Sequence, residues 1–235
     1  MYGGTCINIG CVPTKSMVYR AEEITQRPPS PSIYRAAVQS TAALTADLRA
    51  ENYTMLDSIT TVELLTGTAV FSDAHTVKVH IGERIITVHA EVIVVGTGSE
   101  PVLPDIPGLR DNPRTVTSTD LLVTEALPRT LVVLGGGYVG LEFAAMYAAY
   151  GSEVTILESR SAVLQREDDD VAVAAADVLA QAGVTIATGA TVTRVDGGTV
   201  HYERNGVADS VDAERILVAL GRRPVTSDLA LDKAG

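Results

Sequence analysis

Cys6 and Cys11 are the only cysteines in the 235-residue sequence, and four residues separate them in Cys6-Ile7-Asn8-Ile9-Gly10-Cys11. Two thiols this close can trade two electrons by opening and closing a single disulfide. A purely stabilising bridge accounts for them poorly, because closing so short a loop constrains little of the unfolded chain. In an ideal helix, positions i and i+5 lie ~8–9 Å apart at Cα, whereas a disulfide spans roughly 4.4–6.8 Å. The segment is therefore expected to be a bent helix entrance, with Gly10 and Pro13 accommodating the bend. A thiol at a helix N-terminus is expected to have its pKa lowered by exposed N–H groups and the helix dipole. Two other readings stand beside this one: cysteines that never pair, and a metal site. The metal site has little to build on, since the spacing is not the usual CxxC and neither a second cysteine pair nor a nearby histidine completes four ligands.

A second constellation lies in Leu131-Val132-Val133-Leu134-Gly135-Gly136-Gly137-Tyr138-Val139-Gly140-Leu141-Glu142. Gly135, Gly137 and Gly140 follow an apolar strand pattern and open a helix pattern, and Glu158 ends the next strand pattern. In that context a GxGxxG motif points to a dinucleotide. Gly135 permits the tight turn, Gly137 lets a pyrophosphate approach the backbone, and Gly140 lets helix and strand pack closely. The helix N-terminus faces the phosphates. Glu158 can accept hydrogen bonds from ribose hydroxyls and repels a 2′-phosphate, which favours NADH, although Arg160 and Arg166 follow closely and could accommodate NADPH. The alternative is a glycine-rich turn in a nucleotide-free α/β domain. Tyr138 and Glu142 share one face of the predicted helix. Tyr138 is placed to cover a nicotinamide pocket, and Glu142 to pair with Lys15 across a domain contact, although a residue of either kind, taken alone, is more often plain surface or packing.

The elements that must hold these residues follow from periodicity. Helices are expected over 12–25, 33–57, 138–150 and 168–182, with Tyr34, Val38, Leu44, Leu48 and Leu56 among the apolar positions of the second. Residues 26–32 read as a loop because of Pro28, Pro29 and Pro31. Residues 62–89 and 190–212 alternate like antiparallel meanders with one wet face. Short continuous apolar runs at 91–95, 131–134 and 215–220, with strands at 153–158 and 184–186, read as a buried parallel sheet. The runs into Gly96 and Gly221 echo one another. The prediction is thus an α/β protein: Rossmann-like nucleotide-binding domains, a parallel sheet with helices, and antiparallel meanders.

Hydrophobic residues make up 46% of the chain, enough for a substantial core. A net charge of −11 argues against nucleic acid or an anionic membrane as partner. Neither a secretory leader nor an apolar run approaching ~18 residues is present. Two cysteines without an export signal point to a reducing cytoplasm. The four histidines, at 75, 80, 89 and 201, read as surface.

Together, Gly3-Gly4-Thr5-Cys6 through Cys11-Val12-Pro13-Thr14-Lys15, then Thr97-Gly98-Ser99 with Pro101, Gly135 through Glu142, and Ala219-Leu220-Gly221-Arg222-Arg223-Pro224 resemble the class I flavoprotein (pyridine nucleotide-) disulfide oxidoreductases. The resemblance spans essentially the whole chain in family order. Ile7-Asn8-Ile9, the glycine turn and Arg166-Glu167-Asp168 look most like the reactive-chlorine-resistance branch, with mercuric reductases next. It implies that NAD(P)H passes electrons through FAD to a Cys6–Cys11 disulfide, and from there to a disulfide, metal ion or oxidant. Cys6 would be the interchange thiol and Cys11 the charge-transfer thiol beside the flavin. Lys15, paired with Glu142, would tune the flavin. The implied cofactor-binding positions are Thr5, Lys15, Thr97, Gly98, Gly135, Gly137, Tyr138, Val139, Gly140, Glu142, Glu158, Gly221 and Arg222. The implied domains are a partial FAD-binding unit at 1–112, an NAD(P)-binding unit at 113–217, and a return into the first at 218–235. Family members also carry an N-terminal GxGxxG, a later flavin-contacting Gly-Asp element and a C-terminal dimerisation domain. The expectation is therefore a piece of a longer, homodimeric enzyme, with an apolar surface exposed where a sheet strand is lacking. Competing expectations are a chain that only binds NAD(H), a flavin oxidase without a redox disulfide, and a thiol metal-transfer module.

Overall fold

The helix break expected between the cysteines falls at Gly10. In the computed structural model, which describes residues 2–23 and 30–235, α1 (Gly4–Ile9) stops there and α2 (Cys11–Glu23) starts at the second cysteine. Gly10 adopts φ −128° and ψ −118°, outside the helical region. The end of the helix predicted over 12–25, and most of the predicted loop at 26–32, lie outside the described residues. Pro31 is the first residue of α3 (Pro31–Asp57) rather than part of a loop. Ser30 caps that helix by accepting from the Ile33 N–H at 3.4 Å, and a first-turn proline forfeits only an N–H that has no intrahelical partner. The buried face of α3 is Tyr34, Ala37, Val38, Thr41 and Thr45, while Leu44 is 40% exposed.

The first meander comprises β1 (Thr68–Asp73), β2 (Thr76–Ile81) and β3 (Arg84–His89), all antiparallel. Then come β4 (Ser99–Pro101), β5 (Thr115–Val116), α4 (Ser118–Leu121), β6 (Thr130–Leu134), α5 (Tyr138–Tyr150), β7 (Glu153–Glu158), α6 (Asp169–Gln181) and β8 (Thr185–Thr188). A second meander follows as β9 (Ala190–Asp196), β10 (Thr199–Arg204) and β11 (Val207–Asp212), before β12 (Arg215–Val218) and β13 (Arg222–Pro224). Five strands form a parallel sheet in the order β5-β12-β6-β7-β8. β13 pairs with β4 in a separate antiparallel ribbon.

Strand alternation sends successive residues to opposite faces, and both faces of this sheet are covered. Leu131 and Val133 of β6 join α2, α3 and α5 in one core. Val132 and Leu134 join Val195 and Val200 of the second meander in another. The dithiol helix and α3 therefore share a core with the sheet. Three tyrosines stitch that core. Tyr34 and Tyr147 are hydroxyl to hydroxyl at 2.7 Å, Tyr34 also donates to the Thr124 carbonyl at 2.8 Å, and Tyr150 donates to the Met17 carbonyl at 3.0 Å. Each is no more than 1% exposed.

The buried strand predicted over 91–95 does not form. Residues 92–98 are irregular and pair with no strand among the described residues, leaving Val92 76% and Val94 88% exposed. No strand of the five-stranded sheet pairs with them, and a segment lacking strand neighbours has no ladder to satisfy its backbone. Of the two runs that echo each other, only the one entering Gly221 is a strand.

Burial and the adjacent Tyr34 push the Tyr147 phenol far above its ordinary range, and burial raises Tyr34 and Tyr150 as well. The folded state keeps these phenols protonated, so their contribution is intact below about pH 10 and is lost as pH rises beyond it. Urea unfolding should show Tyr147→Ala losing about 3–5 kcal/mol. Tyr147→Phe should lose about 1 kcal/mol and show a shallower decline in stability above about pH 10.

Candidate functional site

β6 delivers the chain into Gly135–Gly137, and α5 begins at the next residue. Gly135 has φ +107°, and a Cβ there would meet the Ala219 carbonyl oxygen at 2.7 Å. A Cβ on Gly140 would lie 2.0 Å from the Gly135 carbonyl oxygen. Both glycines are thus required by backbone contact. At Gly137 a Cβ would meet nothing within 4 Å. This glycine leaves open backbone at the N-terminus of a 13-residue helix, which is what an approaching phosphate needs.

The open side faces a cavity of about 420 Å³, lined among others by Gly135, Gly137, Tyr138, Val139, Glu158, Gly221 and Arg222. Glu158 stands at the end of β7, where its carboxylate accepts the Gly136 N–H at 2.6 Å and the Arg160 N–H at 2.9 Å. Gly136, which motif reading passes over, is glycine for this reason: a Cβ would sit 2.8 Å from Val163 Cγ1 and 3.2 Å from Glu158 Oε2. The donor set fits a dinucleotide, with bare backbone for the pyrophosphate and an oriented carboxylate for a ribose. Arg160 and Arg166 line the same cavity, as do Ser118, Gln165 and Glu167. Ser118 opens α4, whose capping box joins Thr117 and Asp120, and the spacing Thr117-x-x-Asp120 was a readable signal for it. Glu167 and Gln165 carry no such signal, because their place depends on how the loop after β7 folds back.

Glu142, one turn beyond Tyr138, forms an ion pair with Lys15 of α2. That pair ties the dithiol helix to the nucleotide helix. Cys6 and Cys11 are free, exposed thiols outside the cavity. The Cys6 thiol is held above its ordinary pKa, chiefly by its hydrogen bond to the Cys11 side chain, while backbone N–H groups of Cys11 and Val12 pull the other way. The expected lowering at a helix N-terminus is thus overridden by the neighbouring sulfur, since two adjacent thiolates repel. Asn8, between the cysteines, is buried and holds α1 through the Tyr2 and Gly4 carbonyls, both at 2.8 Å, while accepting from Arg49 at 2.6 Å.

Thr5, Thr97 and Gly98 form a third group. A Cβ on Gly98 would lie 2.6 Å from Thr5 Oγ1, and Thr97 donates to the Val225 carbonyl at 2.6 Å. Arg222 reaches from the cavity rim to the Ser99 hydroxyl at 2.8 Å and the Ser99 carbonyl at 2.6 Å. Thr5 thus meets the Gly98 backbone directly beside Cys6 in the chain, while Lys15 is placed by its pairing with Glu142. Among the described residues, no helix is long and apolar enough to cross a membrane.

A glycine-turn cavity joined by an ion pair to the helix that begins at the second cysteine of a CxxxxC motif defines a class, and the family described as "Pyridine nucleotide-disulphide oxidoreductase" matches residues 1–235. The chain belongs to that family, oxidoreductases that use FAD and NAD(P)H. It is 39% identical to the probable pyridine nucleotide-disulfide oxidoreductase RclA of Escherichia coli, over all of this chain and 52% of that protein. It is 34% identical to a dihydrolipoyl dehydrogenase of Geobacillus stearothermophilus, over 99% of this chain and 52% of the other. A mercuric reductase of Bacillus cereus is also 34% identical, with 99% and 38% covered. The solved structure of the HOCl-induced flavoprotein disulfide reductase RclA from Escherichia coli superposes with a TM-score of 0.88 at 38% identity, covering all of this chain and 52% of that one. The chain thus spans about half the length of the Escherichia coli and Geobacillus stearothermophilus relatives.

The two glycines should fail differently. Gly140→Ala must separate α5 from β6 and should lower stability by about 1–3 kcal/mol. Gly137→Ala should unfold like the wild type yet bind NADH about tenfold more weakly, as read by thermal melts and NADH fluorescence titration. Removing the second sulfur tests the thiol coupling: in Cys11→Ser, Cys6 should be alkylated by iodoacetamide faster at pH 8 than it is in the wild type, because more of it is thiolate.

Proposed function

We propose that the chain carries the nucleotide-to-dithiol portion of an NAD(P)H-dependent flavoprotein disulfide oxidoreductase. The carrying observation is the open Gly137 cradle linked, through one turn of α5 and the Lys15–Glu142 pair, to the CxxxxC helix. Residues 1–112 belong to the FAD unit, 113–217 form the NAD(P) unit, and 218–235 return to the first. Nucleotide and flavin, when bound, would supply two electrons to the cysteine pair. Gly135, Gly137, Gly140 and Val139 shape the cradle. Glu158, oriented by two backbone N–H groups, accepts from ribose hydroxyls and disfavours a 2′-phosphate, which gives NADH the advantage. Thr5, Lys15, Thr97, Gly98, Gly221 and Arg222 border the flavin side.

The cysteines do the chemistry on the substrate. As a thiolate, Cys6 attacks one sulfur of a small disulfide and expels the first thiol. Cys11 then attacks Cys6, releasing the second thiol and closing the Cys6–Cys11 bridge, with two electrons leaving the protein. A thiophilic metal ion or an oxidant could take the same two electrons. We place the enzyme in the cytoplasm and its parent as a homodimer. A second reading, in which this chain alone binds NAD(H) without turnover, draws support from the exposed Val92 and Val94 beside the flavin-side residues.

Titration should show saturable NADH binding and weaker NADPH binding, and Glu158→Ala should bring the two affinities together. Adding FAD and then NADH separates the two readings. Bleaching of flavin absorbance with the appearance of new protein thiols supports electron delivery, and NADH binding without retained flavin supports the binding-only chain. No nucleotide binding at all would sink both.

A further inference from the structure

The short helix that carries Cys6 has little of its own to hold it. α1 spans six residues, its N-cap Gly3 offers no side-chain hydrogen bond, and it stops at Gly10. Gly3 and Gly4, at φ +86° and +62°, lead the chain into it through left-handed backbone. A helix this short does not persist in water by itself. Asn8 fixes it. The Asn8 side chain is buried, and its amide nitrogen donates to the Tyr2 and Gly4 carbonyls, both at 2.8 Å. Its oxygen accepts from Arg49 Nε at 2.6 Å. Arg49 belongs to α3, which Tyr34 ties into the core ~22 Å back along the helix axis. Tyr2 leans on the same helix, its ring T-shaped to that of Tyr53 with centroids 4.9 Å apart. The place of Cys6 thus derives from α3, through Arg49 and Asn8, rather than from α1 itself.

We infer that Arg49 is a positioning residue for the cysteine pair: by anchoring Asn8 it holds Cys6 within reach of Cys11 and favours closure of the bridge. This rests on the redox reading of the pair. In the reduced chain the two thiols already share a hydrogen bond. With α1 anchored, closure joins sulfurs that are held near one another beforehand. Without the anchor, closure must itself order α1, and the effective concentration of one thiol at the other falls. The contact to Asn8 runs through Nε–H, so a neutral donor at the same place should serve.

The test equilibrates the chain in glutathione buffers of stepped disulfide-to-thiol ratio and reads the closed fraction by thiol labelling and intact mass. In closure one S–S bond forms in the protein and the glutathione S–S bond breaks. Both electrons and both protons end on two glutathione thiols. Arg49→Met should lower the closing constant about threefold or more, a rise in reduction potential of about 14 mV or more. Arg49 is exposed, so the melting temperature of the reduced chain should match the wild type. Arg49→Gln carries an N–H donor on the same δ carbon and should lie closer to the wild type than to Arg49→Met. Asn8→Ala removes the relay, and adding Arg49→Met in that background should change nothing further. A fall of less than about threefold in Arg49→Met overturns the anchor while leaving the dithiol reading standing. So does a glutamine variant as impaired as the methionine one, or a further fall in the double variant. A wild type whose cysteines do not bridge at the highest disulfide ratio overturns the dithiol reading and the anchor with it.

Discussion

The Gly140 backbone lies so close to the Gly135 carbonyl that a single added methyl carbon would sit 2.0 Å from that oxygen. This contact fixes how deeply α5 beds against β6, and much of the structure hangs on that depth. α5 presents Tyr138 to the cavity, Glu142 to the dithiol helix, and Phe143, Tyr147 and Tyr150 to the core shared with α2 and α3. Raising the helix by an ångström would loosen all three sets together. The helix is apolar on nearly every side, so burial on several faces, rather than an amphipathic stripe, holds it.

The tyrosine cluster shows why those faces cannot move independently. Tyr34 comes from α3, while Tyr147 and Tyr150 come from α5, and their hydroxyls reach the carbonyls of Thr124 and Met17. A buried hydroxyl left without a partner costs about 1–3 kcal/mol, so sliding one helix over another would strand polar groups from several elements. Polar stitching inside an apolar core thereby fixes register where hydrophobic contact alone would tolerate slippage.

Much of this was legible in the sequence wherever one local pattern carries one local consequence. The apolar runs at 131–134 and 215–218, the glycine turn, and the acidic residue ending β7 fall where strand period and turn chemistry put them. The bend between the cysteines follows from disulfide reach and lands on Gly10. Failures occur where a residue's fate lies with distant neighbours. Residues 91–95 read as apolar as β6, yet periodicity reports only that a segment would suit a buried strand, not that a neighbouring strand is there to pair with it. Cys6 shows the same limit in electrostatics: the helix-end effect was sound, but the adjacent sulfur outweighs it. Glu167 was invisible as a cavity residue, because a strained leucine three positions earlier decides where it points.

Geometry also constrains how the cavity and the thiols can communicate. Tyr138 and Glu142 are one helical turn apart, ~6 Å along the axis, and the first borders the glycine-turn cavity while the second pairs with Lys15 of α2. Both lie in the first two turns of α5, next to the Gly135–Gly140 contact. A flexible link there would let the distance between cavity and thiols vary with every fluctuation of α2. A single turn anchored by backbone-to-backbone packing does not. The exposed Lys15–Glu142 pair adds little stability, since such pairs are worth about 0–1 kcal/mol. Its effect is directional: it orients α2 against a helix whose position is already fixed. The glycine that lets α5 approach its strand is thus also what gives the ion pair a fixed point to act from.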